Sequence, residues 1–265
     1  MQVIITANAS AAAAHAADIV ERTLAELEAP VFGLATGSTP VALYQALIER
    51  HRHQGLSFAK LTTFNLDEYV GLPPEHPQSY RHFMQRELFD HVDIEPANTF
   101  LPDGMSDPLE AGNAYEALIE GHGGIDLQVL GIGRNGHIGF NEPTSSLGSR
   151  TRVKTLTRDT LEANARFFAP QEFQPSLALT MGIATILEAR SILLIATGEA
   201  KAEAVARCVE GPLSALVPAS ALQLHPKVTV IVDQAAAGRL ELRDYYEFAA
   251  AHQRELHQAT PGEAP

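Results

Sequence analysis

Residues 131–143 read Gly-Ile-Gly-Arg-Asn-Gly-His-Ile-Gly-Phe-Asn-Glu-Pro. An apolar run, Ile125–Leu130, leads into them and has the character of a buried strand. Glycines at 131, 133, 136 and 139 let the backbone pass where a side chain would not fit. Within that turn stand an imidazole, His137, and a carboxylate, Glu142. Delivered to one point by a strand end, such a pair can move protons. His137 is the natural shuttle, because an unperturbed imidazole titrates near ~6.5. Glu142 or Asn135 can fix its tautomer. The plainer alternative is a hydrogen-bonded structural histidine.

The same stretch contains Gly131-x-Gly133-x-x-Gly136, the spacing of a dinucleotide-binding turn. That reading needs a helix to start there and an acidic residue about 20 residues on, at the end of a second strand. Gly139 and Pro143 interrupt the next residues, and the distal region is Thr151-Arg152-Val153-Lys154. Nicotinamide dinucleotide binding is rejected.

Two other strand ends carry polar groups. Ala35-Thr36-Gly37-Ser38-Thr39-Pro40 runs from a short apolar strand straight into a helix. The free N–H groups of that helix start attract an anion, with Ser38 and Thr39 adding hydroxyls. Ser38 or Thr39 is also expected to cap the first turn. No Gly-Lys-Ser/Thr is present, so this is not a Walker loop. Thr63-Phe64-Asn65-Leu66-Asp67-Glu68-Tyr69-Val70-Gly71 closes another strand with adjacent carboxylates. Neighbours on an extended chain point opposite ways, so at most one serves a given site. Asp67 as proton-abstracting base and Asp67 as a turn or cap residue are about even on spacing alone. The other carboxylate reads as an ion-pair partner.

Two cations suit an anion. Lys201 follows Thr197-Gly198-Glu199-Ala200 at a helix start, where a positive charge opposes the dipole unless an anion is bound. Arg166 lies on an expected helix, 159–168. Either is equally readable as a solvated surface charge. The eleven histidines form no ligand set with Cys or Asp, so no metal site is expected; His51, His53, His82, His91 and His122 read as surface residues.

The elements around these groups alternate. Strands are expected at 3–6, 31–35, 61–66, 125–131, 152–156, 191–197 and 228–233. Helices are expected at 10–28, 39–51, 79–91, 109–121, 159–168 and 175–190, with one more before an Ala/Pro/Gly tail. The fold class is α/β: a single domain, residues 1–258, with an open, mostly parallel Rossmann-like sheet and helices on both faces. Residues 144–176 are a candidate lid, and 259–265 a disordered tail.

The chain has 265 residues, 45% of them apolar, enough for a sizeable core. No run approaches the ~20 apolar residues of a membrane span, and no basic leader opens the chain. One cysteine, Cys208, excludes an internal disulfide and fits a reducing, cytoplasmic setting. Net charge is −13 with four lysines, which argues against nucleic acid as a partner. A small anion then has to be held by local cations and backbone N–H groups.

Five segments together resemble the glucosamine-6-phosphate deaminase family: 34–40, 64–72, 131–143, Ser149-Arg150-Thr151-Arg152-Val153-Lys154-Thr155-Leu156, and Leu222-Gln223-Leu224-His225-Pro226. The similarity runs over residues 1–245. It implies conversion of an amino-sugar phosphate, glucosamine 6-phosphate, with water to fructose 6-phosphate and ammonia, without an organic cofactor. His137 would open the sugar ring, supported by Glu142 and Asn135. Asp67 would carry a proton from C2 to C1. Gly37, Ser38, Thr39, Arg166 and Lys201 would clamp the phosphate. Some members have Asp where this chain has Asn135, which shifts the charge support of His137 onto Glu142. Ser145, Arg152 and Lys154 match an allosteric effector pattern, with Tyr245 or Tyr246 as the candidate aromatic completing it; a homo-oligomer stays open. The rival readings are a lactonase or isomerase of the same fold, and a non-catalytic sugar-phosphate sensor.

Overall fold

The computed structural model describes residues 1–157, 161–162, 168 and 173–259. Most of the expected helix at 159–168, Arg166 included, and the tail from 260 onward fall outside the described residues; Leu161 and Glu162 are helical.

Ten strands are present: β1 Gln2–Thr6, β2 Val31–Leu34, β3 Thr62–Asn65, β4 Asp67–Tyr69, β5 Thr99–Phe100, β6 Leu127–Leu130, β7 Arg152–Thr155, β8 Leu177–Thr180, β9 Ser191–Ala196 and β10 Val228–Asp233. Seven form one parallel sheet in the order β1-β10-β9-β6-β2-β3-β5. The central strands are buried on both faces, which explains their continuous apolar runs. In β9, Ile192, Leu194 and Ala196 enter one core while Leu193 and Ile195 enter the other. The second core is completed by helices α1 (Ala9–Glu26), α2 (Ser38–Gln54) and α3 (Tyr80–Glu87); the first by α4 (Pro108–Gly121), α5 (Ile183–Leu187) and α6 (Ala202–Val209). The C-terminal helix α7 (Arg243–Ala259) adds Tyr246 to the first core.

The strand order places the site. From β2 the chain proceeds outward to β3 and β5. It then returns to the other side of β2 with β6 and continues away through β9 and β10. The direction reverses between β2 and β6, and in open α/β sheets a crevice opens at the carboxyl ends of strands at such a point. The Thr36–Thr39 loop leaves β2 there, and the 131–143 loop leaves β6.

A small antiparallel sheet, β4-β8-β7, sits beside this crevice. It corrects the expected helix at 175–190. Leu177–Thr180 is extended and pairs with both β4 and β7, and only Ile183–Leu187 is helical. Leu and Ala favour helix, but the pairing partners decide. The expected strand at 152–156 is present as β7, within the candidate lid at 144–176.

Candidate active site

The loop leaving β6 lies against the start of α2, Lys201, Asp67 and Thr180. A Cβ on Gly131 would stand 3.8 Å from Thr39 Cβ, at the start of α2. The Ile132 carbonyl accepts the Lys201 ammonium at 2.6 Å. A Cβ on Gly139 would stand 3.3 Å from Asp67 Oδ2 and 3.0 Å from Thr180 Oγ1. The turn is held from below, where Ala219 N–H donates to Gly136 O at 2.9 Å. Two of its glycines are needed for distinct reasons. Gly133 lies under the His137 ring, which a Cβ would overlap; Gly136 has φ +83° and faces Val217. No helix follows, as residues 131–137 form an irregular turn. The glycines therefore do not open a helix as a dinucleotide turn does.

His137 keeps 30% of its side-chain surface exposed, while Glu142 beneath it keeps 4%. Nδ1 stands 3.4 Å from Glu142 Oε2, an ion-pair contact longer than a good hydrogen bond. Asn135 Nδ2 donates to the same oxygen at 2.8 Å, and Asn135 Oδ1 accepts the His137 backbone N–H at 3.2 Å. Asn135 thus reaches the imidazole through Glu142 and the backbone. Phe140 N–H donates to Thr180 Oγ1 at 3.1 Å, tying the loop to β8.

The two adjacent carboxylates divide their work. Glu68 accepts backbone N–H groups of Tyr69, Tyr80 and Arg81 at 2.8, 2.9 and 2.9 Å, capping α3. Two of these N–H groups belong to a helix start, and the Arg81 guanidinium is an electrostatic partner of Glu68 as well. Asp67 is 5% exposed, and burial, with Glu68 adding like-charge repulsion, pushes its carboxyl up to about 8. A carboxylate poised near neutrality is suited to take and return a proton. Against it stands an aromatic wall absent from the sequence reading. Tyr80 stacks on Phe140 with centroids 6.0 Å apart, and Tyr69 lies 4.8 Å from Tyr80. The Tyr80 hydroxyl meets Tyr69 and the Thr36 side chain. Only the Glu-Tyr and Gly-Phe pairs inside the quoted segments hinted at this wall.

The helix start behaves differently from expectation. Asn8, Ser79 and Asp107 cap α1, α3 and α4 through their side chains. At α2 the cap position is Gly37, with φ 95° and ψ −177°, and no side chain closes the turn. Ser38 and Thr39 are already helical, so neither caps. Gly37 and Ser38 are exposed and Thr39 half-buried. Pro40 has no N–H, so the backbone N–H groups of Gly37, Ser38 and Thr39 are the ones left without intrahelical partners, which is an anion site in its simplest form.

Lys201 is partly buried, which lowers its ammonium from the usual lysine range; the Arg134 charge lowers it further. Arg134 is exposed on the 131–143 loop and adds a cation that sequence reasoning passed over. Its sequence signal was simply its place three residues past the strand-end glycine, Gly131.

The effector-pattern residues lie nearby without a shared partner. Arg152 Nη1 donates to Asn141 Oδ1 at 2.8 Å, so its guanidinium holds the far end of the 131–143 loop. Ser145 Oγ is buried and unpartnered, and Lys154 lies two residues beyond Arg152 on β7. Tyr245 is exposed and Tyr246 half-buried on α7. A cavity of about 470 Å³ between α4 and α5 opens at the amino ends of β6 and β9 and is lined in part by Arg150. Among the described residues, no three His, Cys, Asp or Glu side chains are placed to hold a metal, and no helix is long and apolar enough to cross a membrane.

Comparison with known proteins agrees with the geometry. The family model of glucosamine-6-phosphate isomerases/6-phosphogluconolactonase matches residues 6–231. A glucosamine-6-phosphate deaminase from Hahella chejuensis is 59% identical over 248 residues, 94% of this chain and 95% of its own. One from Shewanella woodyi is 54% identical over 257 residues, 97% of each chain. The solved structure of a monomeric glucosamine-6-phosphate deaminase superposes with a TM-score of 0.87 at 47% identity, covering 90% of this chain and 100% of the other. A 6-phosphogluconolactonase from Trypanosoma cruzi, 20% identical with a TM-score of 0.73, covers 91% of this chain and 97% of its own and shares the fold. The chain belongs to the glucosamine-6-phosphate isomerase/6-phosphogluconolactonase family.

Proposed function

We propose that the protein is a glucosamine-6-phosphate deaminase, converting glucosamine 6-phosphate and water to fructose 6-phosphate and ammonia. The observation that carries the reading is Asp67: a buried carboxylate held near neutrality beside the loop of His137. His137 moves a proton from the anomeric hydroxyl to the ring oxygen and opens the sugar. Glu142 stabilises the imidazole when charged, and Asn135 orients Glu142. Asp67 then takes the C2 proton and returns it to C1. The C2–N bond becomes a ketimine, and water adds there to release ammonia. The phosphate sits on the N–H groups behind Gly37, Ser38 and Thr39, with Lys201 beside it; Arg166 is the remaining cation of this clamp. Ser145, Arg152 and Lys154 are proposed as an effector site on the strength of the family pattern.

Coupled detection of fructose 6-phosphate and ammonia tests the assignment. Wild type is expected to form both in equal amounts, and Asp67→Asn to lose about 10³-fold in kcat, within the range of a removed general base. No product from glucosamine 6-phosphate, with turnover instead of a sugar phosphate that carries no amine, would point to an isomerase or lactonase. Unchanged turnover by the variant would remove Asp67 from the mechanism.

A further inference from the structure

Lys201 stands on a turn with its own support. The residue before the turn, Gly198, has φ +87°, and Lys201 N–H donates back to Gly198 O at 3.0 Å. The Gly198 N–H donates to both carboxylate oxygens of Asp233, at 3.0 and 3.1 Å. Asp233 Oδ1 also accepts Ala236 N–H at 2.8 Å. Asp233 is the last residue of β10, the neighbour of β9, and is 8% exposed. Among the described residues no cation pairs with it. A buried carboxylate satisfied only by N–H groups, close to where a phosphate is to bind, is a costly arrangement that an apolar residue would avoid.

We propose that Asp233 is a positioning residue of the phosphate site, acting through Lys201. By taking the Gly198 N–H it turns that donor away from the phosphate and fixes where the turn begins. The Lys201 stem then leaves the turn in the direction that brings its ammonium to Ile132 O. The ammonium has a neutral carbonyl as acceptor there, so its charge is left for an anion. The inference rests on Lys201 as a phosphate ligand, as read above.

A double-mutant cycle separates the two ideas. Substrate KM, kcat and the competitive inhibition constant of inorganic phosphate would be measured for wild type, Asp233→Asn, Lys201→Met and the double variant. Melting temperatures of all four identify any loss of fold, and Asp233→Glu tests recovery by a longer carboxylate if Asn unfolds. Asp233→Asn is expected to raise KM and the phosphate constant together, by about tenfold, with kcat within twofold. Lys201→Met is expected to do the same or more. The double variant should bind phosphate no worse than Lys201→Met alone, because coupled residues are not additive. Fully additive losses, or unchanged phosphate binding in Asp233→Asn, would overturn the positioning role. Unchanged phosphate binding in Lys201→Met would instead overturn the lysine's assignment.

Discussion

His137 Nδ1 and Asn135 Nδ2 converge on one oxygen, Glu142 Oε2, at 3.4 and 2.8 Å. The neutral amide therefore leans on the carboxylate, and among the described residues the carboxylate is the one negative charge paired with the imidazole. Glu142→Gln should cost about 10²-fold in kcat/KM, because imidazolium loses its counter-charge. Asn135→Ala should cost about tenfold, the loss of one charge-assisted hydrogen bond that orients Glu142. Steady-state kinetics of the two variants decide the order. A larger loss in Asn135→Ala would reverse their roles.

The raised carboxyl of Asp67 has a signature in both rate and stability. Its base form grows as pH rises toward about 8, so kcat/KM should climb with pH and level off there. That limb lies above the substrate phosphate's own ionisation near ~6. Glu68→Gln removes the like charge and should bring the plateau to lower pH. In stability the sign is opposite. Between 3.8 and about 8 the unfolded chain has lost the proton and the fold retains it, so wild type loses stability across that window. The slope is at most about 1.4 kcal/mol per pH unit. Asp67→Asn should therefore melt progressively above wild type from pH 4 to 8, the gap then staying constant.

Arg134 and Lys201 act on each other as like charges in a protein of net charge −13. Arg134→Gln should raise KM about threefold at low salt and less as salt screens the site, since exposed charges act over roughly a Debye length. It should also restore part of the basicity of Lys201, moving any alkaline rise in KM to higher pH. A KM indifferent to both substitution and ionic strength would show that Arg134 does not serve the phosphate.

The sequence pattern marked the individual parallel strands more clearly than the order in which they pair. Strands with apolar runs, such as Val228–Asp233, announced themselves because both faces are buried. Leu177–Thr180 did not, because its extended state comes from β4 and β7, which lie distant in sequence. The same holds for the switch point between β2 and β6: strand order is a long-range property that local periodicity does not encode. At the site, the shared carboxylates 67 and 68 could be told apart only by the helix start that Glu68 caps. The Ser38 and Thr39 cap was expected from residue type alone, and the left-handed Gly37 moved the helix boundary past it.

That uncapped boundary yields a prediction in which stability and binding move in opposite directions. Gly37 has φ 95° and ψ −177°, a region open essentially to glycine, and the first residue of α2 is the exposed Ser38. An aspartate at position 38 places a fixed negative charge at the positive end of the helix. It should stabilise the fold by about 0.3–1 kcal/mol through the dipole. The same charge repels a phosphate that needs those N–H groups, so substrate affinity should fall about 10²-fold or more. A neutral Ser38→Ala should weaken substrate only a few-fold, the loss of one hydroxyl donor. Thermal melting and inhibition by inorganic phosphate, measured on the same preparations, check both halves. If Ser38→Asp were stabilised yet bound phosphate as wild type does, the start of α2 would be a bare helix end and the anion would bind elsewhere. If it lost both stability and affinity, the effect would be a distorted loop and not a competition for N–H groups.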